Sequence, residues 1–155
     1  MKNRIMNKLD LASTRRQVQM TVQTKPQEIY ASLRIYHQDL APEAVSTSLE
    51  LNPSRAWVKG EKLEDEIIAT TGGWLLSSKE HVNSAEMNKH LDWLLLMLSG
   101  CGSRLTKLQK QGYKTELVVS WFSDSWNTCP ALTPEFMQRI AALNMPLRFD
   151  VYLDS

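Results

Sequence analysis

Apolar residues return at every second position in several separate stretches of this chain, and no other feature of the sequence restricts its fold as much. Ile29, Ala31, Leu33 and Ile35 alternate with Tyr30, Ser32, Arg34 and Tyr36. Leu117, Val119 and Trp121 alternate with Glu116, Val118 and Ser120, and Leu147, Phe149 and Val151 with Arg148, Asp150 and Tyr152. Successive strand side chains point to opposite faces, so each stretch predicts a strand with one apolar and one wetter face. Val18, Met20 and Val22, set between Gln17, Gln19, Thr21 and Gln23, predict a further strand. It would join the strand after it as a hairpin around Lys25 and Pro26, since Pro26 interrupts the pattern. Ile67 to Thr71 and Trp74 to Ser77 are shorter strand candidates around Gly72 and Gly73.

Helical stripes separate these strands. Pro42 suits a first helical turn, and Ala41, Val45 and Leu49 fall four apart on one face until Asn52 and Pro53 end the segment. Asn83 and Glu86 have capping-box spacing ahead of Met87, Leu91, Leu94 and Leu98, which form one core-facing stripe. That helix pauses near Gly100 and Gly102, resumes through Leu105 and Leu108, and stops at Gly112. Thr133 and Pro134 open a last helix with Phe136, Ile140 and Leu143 on its apolar side, ended by Asn144 and Pro146. Ser54 to Glu66 and Asp124 to Pro130 read as irregular loops. The order β-β-α-β-β-α-β-α-β predicts an α+β fold: a mostly antiparallel sheet of five or six strands with three helices packed mainly on one face. Residues 1–15 lack a period and are expected to be a flexible N-terminal segment, with 16–155 a single domain.

Charge and motif content exclude several functions. Lys and Arg number 18 against 17 Asp and Glu, with no basic stripe to release counterions, so no nucleic-acid partner is expected. The basic lean of Lys2, Arg4, Lys8, Arg15 and Arg16 reads as a solvated tail. The longest apolar run, Trp93 to Leu98, is far short of the ~20 residues that cross a bilayer, and residues 1–15 lack the apolar core of a signal peptide. Cys101 and Cys129 have neither metal-ligand spacing nor neighbouring His or Cys, so they are expected to be free thiols in a reducing cytoplasm. No phosphate loop, dinucleotide fingerprint, nucleophile elbow or HExxH occurs, so no catalytic residue, metal or cofactor is assigned.

The candidates that remain concern binding. His37 lies near Asp39 and Arg34, a possible base held by a carboxylate; a surface histidine at a strand end is the plainer reading. His81 is expected to be exposed. His90 follows Glu86 by one helical turn, so the two side chains can meet on the helix surface. Glu86, His90, Trp93 and Met97 form a second stripe, which either wedges under loops or meets a partner. Trp57 lies beside Arg55 and Lys59, and Trp126 beside Asp124 and Asn127; each tryptophan either plugs the core edge or anchors a partner. The acidic run Glu61, Glu64, Asp65, Glu66 is a solvated face or meets a basic partner.

Ser32-Leu33-Arg34-Ile35, then Pro42, Val45 and Leu49, then Pro53, Trp57 and Lys59-Gly60-Glu61 resemble a bacterial family, domain of unknown function 4279. Gly73-Trp74, His90-Leu91, Leu94-Leu95 and Asp150-Val151-Tyr152 fit the same pattern, which runs from about residue 29 to 152 and is most specific from Trp57 to Glu61. Glu50 departs from it, standing where a small residue is usual, so the first helix is expected to end differently. The resemblance implies one bacterial cytoplasmic domain and brings no catalytic residues. By analogy of size and fold type, it points toward immunity proteins that block a toxin by binding it. The leading expectation is a non-enzymatic module that binds another protein. The alternatives are a small-ligand domain or unrecognised enzyme around His37, Asp39 and Arg34, and a unit that self-associates through sheet edges or helices.

Overall fold

The computed structural model describes residues 28–125 and 130–153, so the strand expected over 18–23 and the segment 1–15 lie outside the described residues. Strand β1 (Glu28–His37) is the centre of a five-stranded sheet. It pairs antiparallel with β3 (Gly72–Ser77) from Ser32 to His37, and with β4 (Lys114–Ser123) from Glu28 to Tyr36. The hairpin expected across Lys25 and Pro26 therefore finds no free edge of β1 from Ser32 to Tyr36. β2 (Arg55–Trp57) pairs antiparallel with β3, and β5 (Leu147–Leu153) runs parallel to β4, giving the order β2-β3-β1-β4-β5. A parallel neighbour needs a crossover, here carried by the helix α4 (Pro134–Ala141) between β4 and β5.

The odd-numbered side chains of β1 and β4 build the core. Ile29, Ala31, Leu33, Ile35, Leu117, Val119 and Trp121 are buried together with Trp74 and Leu76 of β3. Helices α1 (Pro42–Leu49), α2 (Met87–Met97), α3 (Gly102–Lys110) and α4 cover that face with Val45, Leu49, Leu91, Leu94, Leu105 and Phe136. Cys101, between α2 and α3, is a free buried thiol, and burial raises its pKa. Among the described residues no helix is long and apolar enough to cross a membrane.

Four helices stand where three were expected, because the pause at Gly100 is a true break. Gly100 sits at φ 80°, a left-handed conformation that suits glycine and separates α2 from α3. The Asn83–Glu86 capping box does not form: α2 begins at Met87 with Glu86 at the cap position and no side-chain cap bond. Thr133 does cap α4, accepting from the Phe136 N–H at 3.5 Å. Ser54 to Glu66, read as loop, contains edge strand β2; three residues are too few to show a period. Ile67 to Thr71 is not a strand. Asp65 and Glu66 both have positive φ, which turns the chain sharply, and only a Lys62–Ile68 bridge forms.

Glu50 is the C-cap residue of α1. It ends α1 at φ 57°, where glycine has no Cβ cost. Arg104 of α3 offsets that cost: its guanidinium donates to the Leu49 carbonyl at 3.0 Å and pairs with the Glu50 carboxylate at 3.0 Å. One cation thus caps a helix end and ties α3 to α1. Arg104→Met is expected to destabilise the fold by about 1–2 kcal/mol in urea unfolding, since a charge-assisted bond to a part-buried carbonyl is lost. A change within about 0.3 kcal/mol would mean that the cap contributes nothing.

Candidate functional site

In β1, β4 and β5 the odd-numbered residues face the helices, so the even-numbered ones, together with Arg55, Trp57, Gly73 and Leu75 of β2 and β3, make a second face that no helix covers among the described residues. Across β1, β4 and β5 its side chains form a charge lattice. Arg34 of β1 donates to Asp150 of β5 at 3.4 Å and to the Ser32 hydroxyl at 3.3 Å. Arg148 donates through Nε to Asp150 at 2.9 Å and through Nη1 to Glu116 of β4 at 3.1 Å. The bond to Asp150 raises the pKa of Arg148 further above neutral, so its charge is permanent.

Aromatic rings stand at both ends of this lattice. Tyr30, Phe122 and Tyr152 run across β1, β4 and β5, with centroids 6.0 Å and 4.5 Å apart. Lys79 lies 5.1 Å from the Tyr30 ring and pairs with Glu28 at 2.8 Å, which raises its pKa. At the opposite end Tyr36 meets Trp57 at 6.3 Å, and the Arg55 guanidinium sits 5.4 Å from the Trp57 ring. Small buried residues lie beneath: Ser32, Val118 and Ser120. The Ser120 hydroxyl has no hydrogen-bond partner among the described residues and lies in register between Tyr30 and Asp150.

The structure divides the sequence candidates into two layers. Arg55, Trp57 and Lys59 gather at the β2 end of the helix-free face. Trp57 plugs the sheet edge: its indole N–H donates to the Thr71 carbonyl at 3.0 Å, and its ring covers Gly73, where any Cβ would collide with it. Lys59 reaches Gln38 at 2.7 Å. Glu86, His90, Trp93 and Met97 belong to α2, in the helix layer. Glu86 pairs with Lys89 at 3.5 Å, while the His90 ring nitrogens meet Ser78 and Ser84. Trp93 is half-buried, stacked on His81 at 4.6 Å, and Met97 packs against the core. Trp126 lies outside the described residues.

His90 is the largest correction, being a core residue and not part of a helix-surface pair. It is 1% exposed, with Nδ1 2.7 Å from the Ser78 hydroxyl and Nε2 2.8 Å from the Ser84 carbonyl. A carbonyl only accepts, so Nε2 carries the hydrogen and Nδ1 accepts from Ser78. Ser78 Oγ in turn accepts from the Ala31 N–H at 2.9 Å. The hydroxyl resembles a histidine-activated nucleophile, yet it is fully buried and both of its roles are in use. It locks the 78–86 loop to β1 and α2.

His37, Asp39 and Arg34 do not converge. Arg34 serves the charge lattice, and Asp39 meets His37 through its backbone N–H, 3.1 Å from Nδ1. The His37 ring stacks on Tyr113 at 4.4 Å and borders an open cleft of about 440 Å³ with Tyr36, Thr71 and Lys114. Among the described residues no three His, Cys, Asp or Glu side chains gather as metal ligands would.

The sheet face was missed as a unit because its members are scattered from Tyr30 to Tyr152. The signal was the polar half of each alternation, but only strand order brings those halves together.

Fold and face define a small two-layer α+β domain, one side of whose sheet carries no helix among the described residues. The family model described as Domain of unknown function (DUF4279) matches residues 27–154, and the chain belongs to that family. No curated protein and no solved structure matches it.

Ser78→Ala would leave the Ala31 N–H and His90 Nδ1 buried without partners. The expected loss is about 2–4 kcal/mol in urea unfolding, at about 1–3 kcal/mol per orphaned group. A loss under about 0.5 kcal/mol would show that the lock carries no stability.

Proposed function

We propose that this protein is a non-enzymatic protein-binding module of the immunity type, which holds its partner on the helix-free face of the sheet. The supporting observation is that face itself: Trp57, Tyr36, Tyr30, Phe122 and Tyr152 at its ends, with Arg34, Arg55 and Arg148 among carboxylates between them. Tyr, Trp and Arg are the residues that dominate binding energies, and mixed charges select a partner by complementarity. The rings and ion pairs are already fixed by their neighbours, so little side-chain freedom is lost on binding. At ~3.3 Å per residue and ~4.8 Å between strands, the five strands give a face of about 570 Å². A standard interface needs about 800 Å² per partner, so rim groups such as Lys59 and Lys79 belong to the contact.

The test is capture from the native cell with the full chain as bait. Arg55→Glu with Arg148→Glu reverses two exposed charges of the face, and Leu96→Glu alters an exposed position on the helix side. The wild type and Leu96→Glu are expected to retain one partner that the double variant loses by tenfold or more, with all three chains folded by circular dichroism. A partner kept by the double variant, or lost by Leu96→Glu alone, overturns the assignment.

A further inference from the structure

We propose that two copies of this chain join through the outer edges of β5, making one continuous sheet about a two-fold axis. The two ends of the sheet are built differently. β2 is a three-residue edge strand, too short to template another chain. β5 has seven residues, no proline within it, and β4 as its one hydrogen-bonded neighbour among the described residues.

The backbone direction of β5 follows from its pairing. The Leu117 N–H donates to the Pro146 carbonyl, so even-numbered residues of β5 turn their backbone groups toward β4. Leu147, Phe149, Val151 and Leu153 therefore present theirs outward. The side chains there are apolar: Leu147 and Phe149 are half-buried against the core, while Val151 is 53% and Leu153 56% exposed. An edge of this kind is what another strand pairs with.

Charge selects a second copy and fixes its register. Antiparallel pairing centred on Phe149 places Arg148 of each copy opposite Asp150 of the other, twice by symmetry, and Leu147 opposite Val151. Centring on Asp150 would oppose two carboxylates, and centring on Val151 would set Asp150 against Tyr152. Only the Phe149 register is complementary in both charge and hydrophobicity. It does not rest on what the sheet face binds.

The experiment is sedimentation of the full chain across a concentration series, followed by engineered cross-linking. The wild type is expected to reach twice its 17.7 kDa mass. Val151→Pro removes an outward N–H and no bond to β4, so it is expected to be monomeric with an unchanged circular dichroism spectrum. Val151→Lys is the second variant, expected to give the same result from an already exposed position. Phe149→Cys, at the symmetry axis, is expected to oxidise to a disulfide-linked dimer, whereas Val151→Cys, opposed by residue 147, is not. A wild type that stays monomeric, dimers that survive both Val151 variants, or preferential cross-linking through Val151→Cys would each overturn the proposal.

Discussion

Everything in this fold depends on β1 being engaged on three sides. Its hydrogen-bonding edges are taken by β3 and β4, and its odd-numbered side chains are sealed under the helices. A one-residue slip would move Ile29, Ala31, Leu33 and Ile35 to the wet side and break both ladders together. The fixed register leaves only the even side of β1 available. The helix-free face is thus the other half of the alternation that builds the core, and Tyr30, Arg34 and Tyr36 are placed by the burial of their neighbours.

The Ser78–His90 network shows why paired chemical groups do not by themselves make a reactive site. A nucleophilic serine needs access, and its base needs a nitrogen free to accept the proton during reaction. In this protein the histidine is oriented by a carbonyl, the serine by the histidine, and the serine's lone pair by a backbone N–H. Each group is satisfied and sealed from solvent. The arrangement stabilises because every buried polar atom in it has a partner, and the same completeness removes any position for a substrate.

Much of this architecture was legible in the sequence, and the exceptions have physical reasons. Long alternations at 29–36 and 117–121 announced strands because one of their faces is buried, and the one at 147–152 because Leu147 and Phe149 pack against the core. Met87, Leu91, Leu94 and Leu98 announced α2 in the same way. β2 was invisible because three edge residues carry no period. The start of α2 was misplaced because His90 reaches the Ser84 carbonyl and occupies the segment that would otherwise cap the helix. His90 itself looked like a surface residue because Glu86 precedes it by one turn. Its true partner, Ser78, lies in a loop that no helical period could indicate. Arg55, Trp57 and Lys59 were found through local composition, whereas Arg34, Glu116, Arg148 and Asp150 meet only through strand order, which single-chain periodicity does not encode.

Edge and face have a joint consequence. A two-fold axis normal to the sheet keeps the helices of both copies on one side, so their uncovered faces become contiguous. One face of about 570 Å² falls short of the ~800 Å² that each partner contributes to a standard interface, whereas two joined faces exceed it. Arg148 and Asp150 would then stand at the middle of the combined surface and not at its rim, where surrounding residues exclude water and ion pairs are screened less. On this geometry the strand edge and the sheet face act together: pairing at β5 enlarges the face and draws its charges toward the centre. The aromatic clusters at Tyr36 and Trp57 would remain at the outer margins of both copies, one for each half of a symmetric or elongated partner.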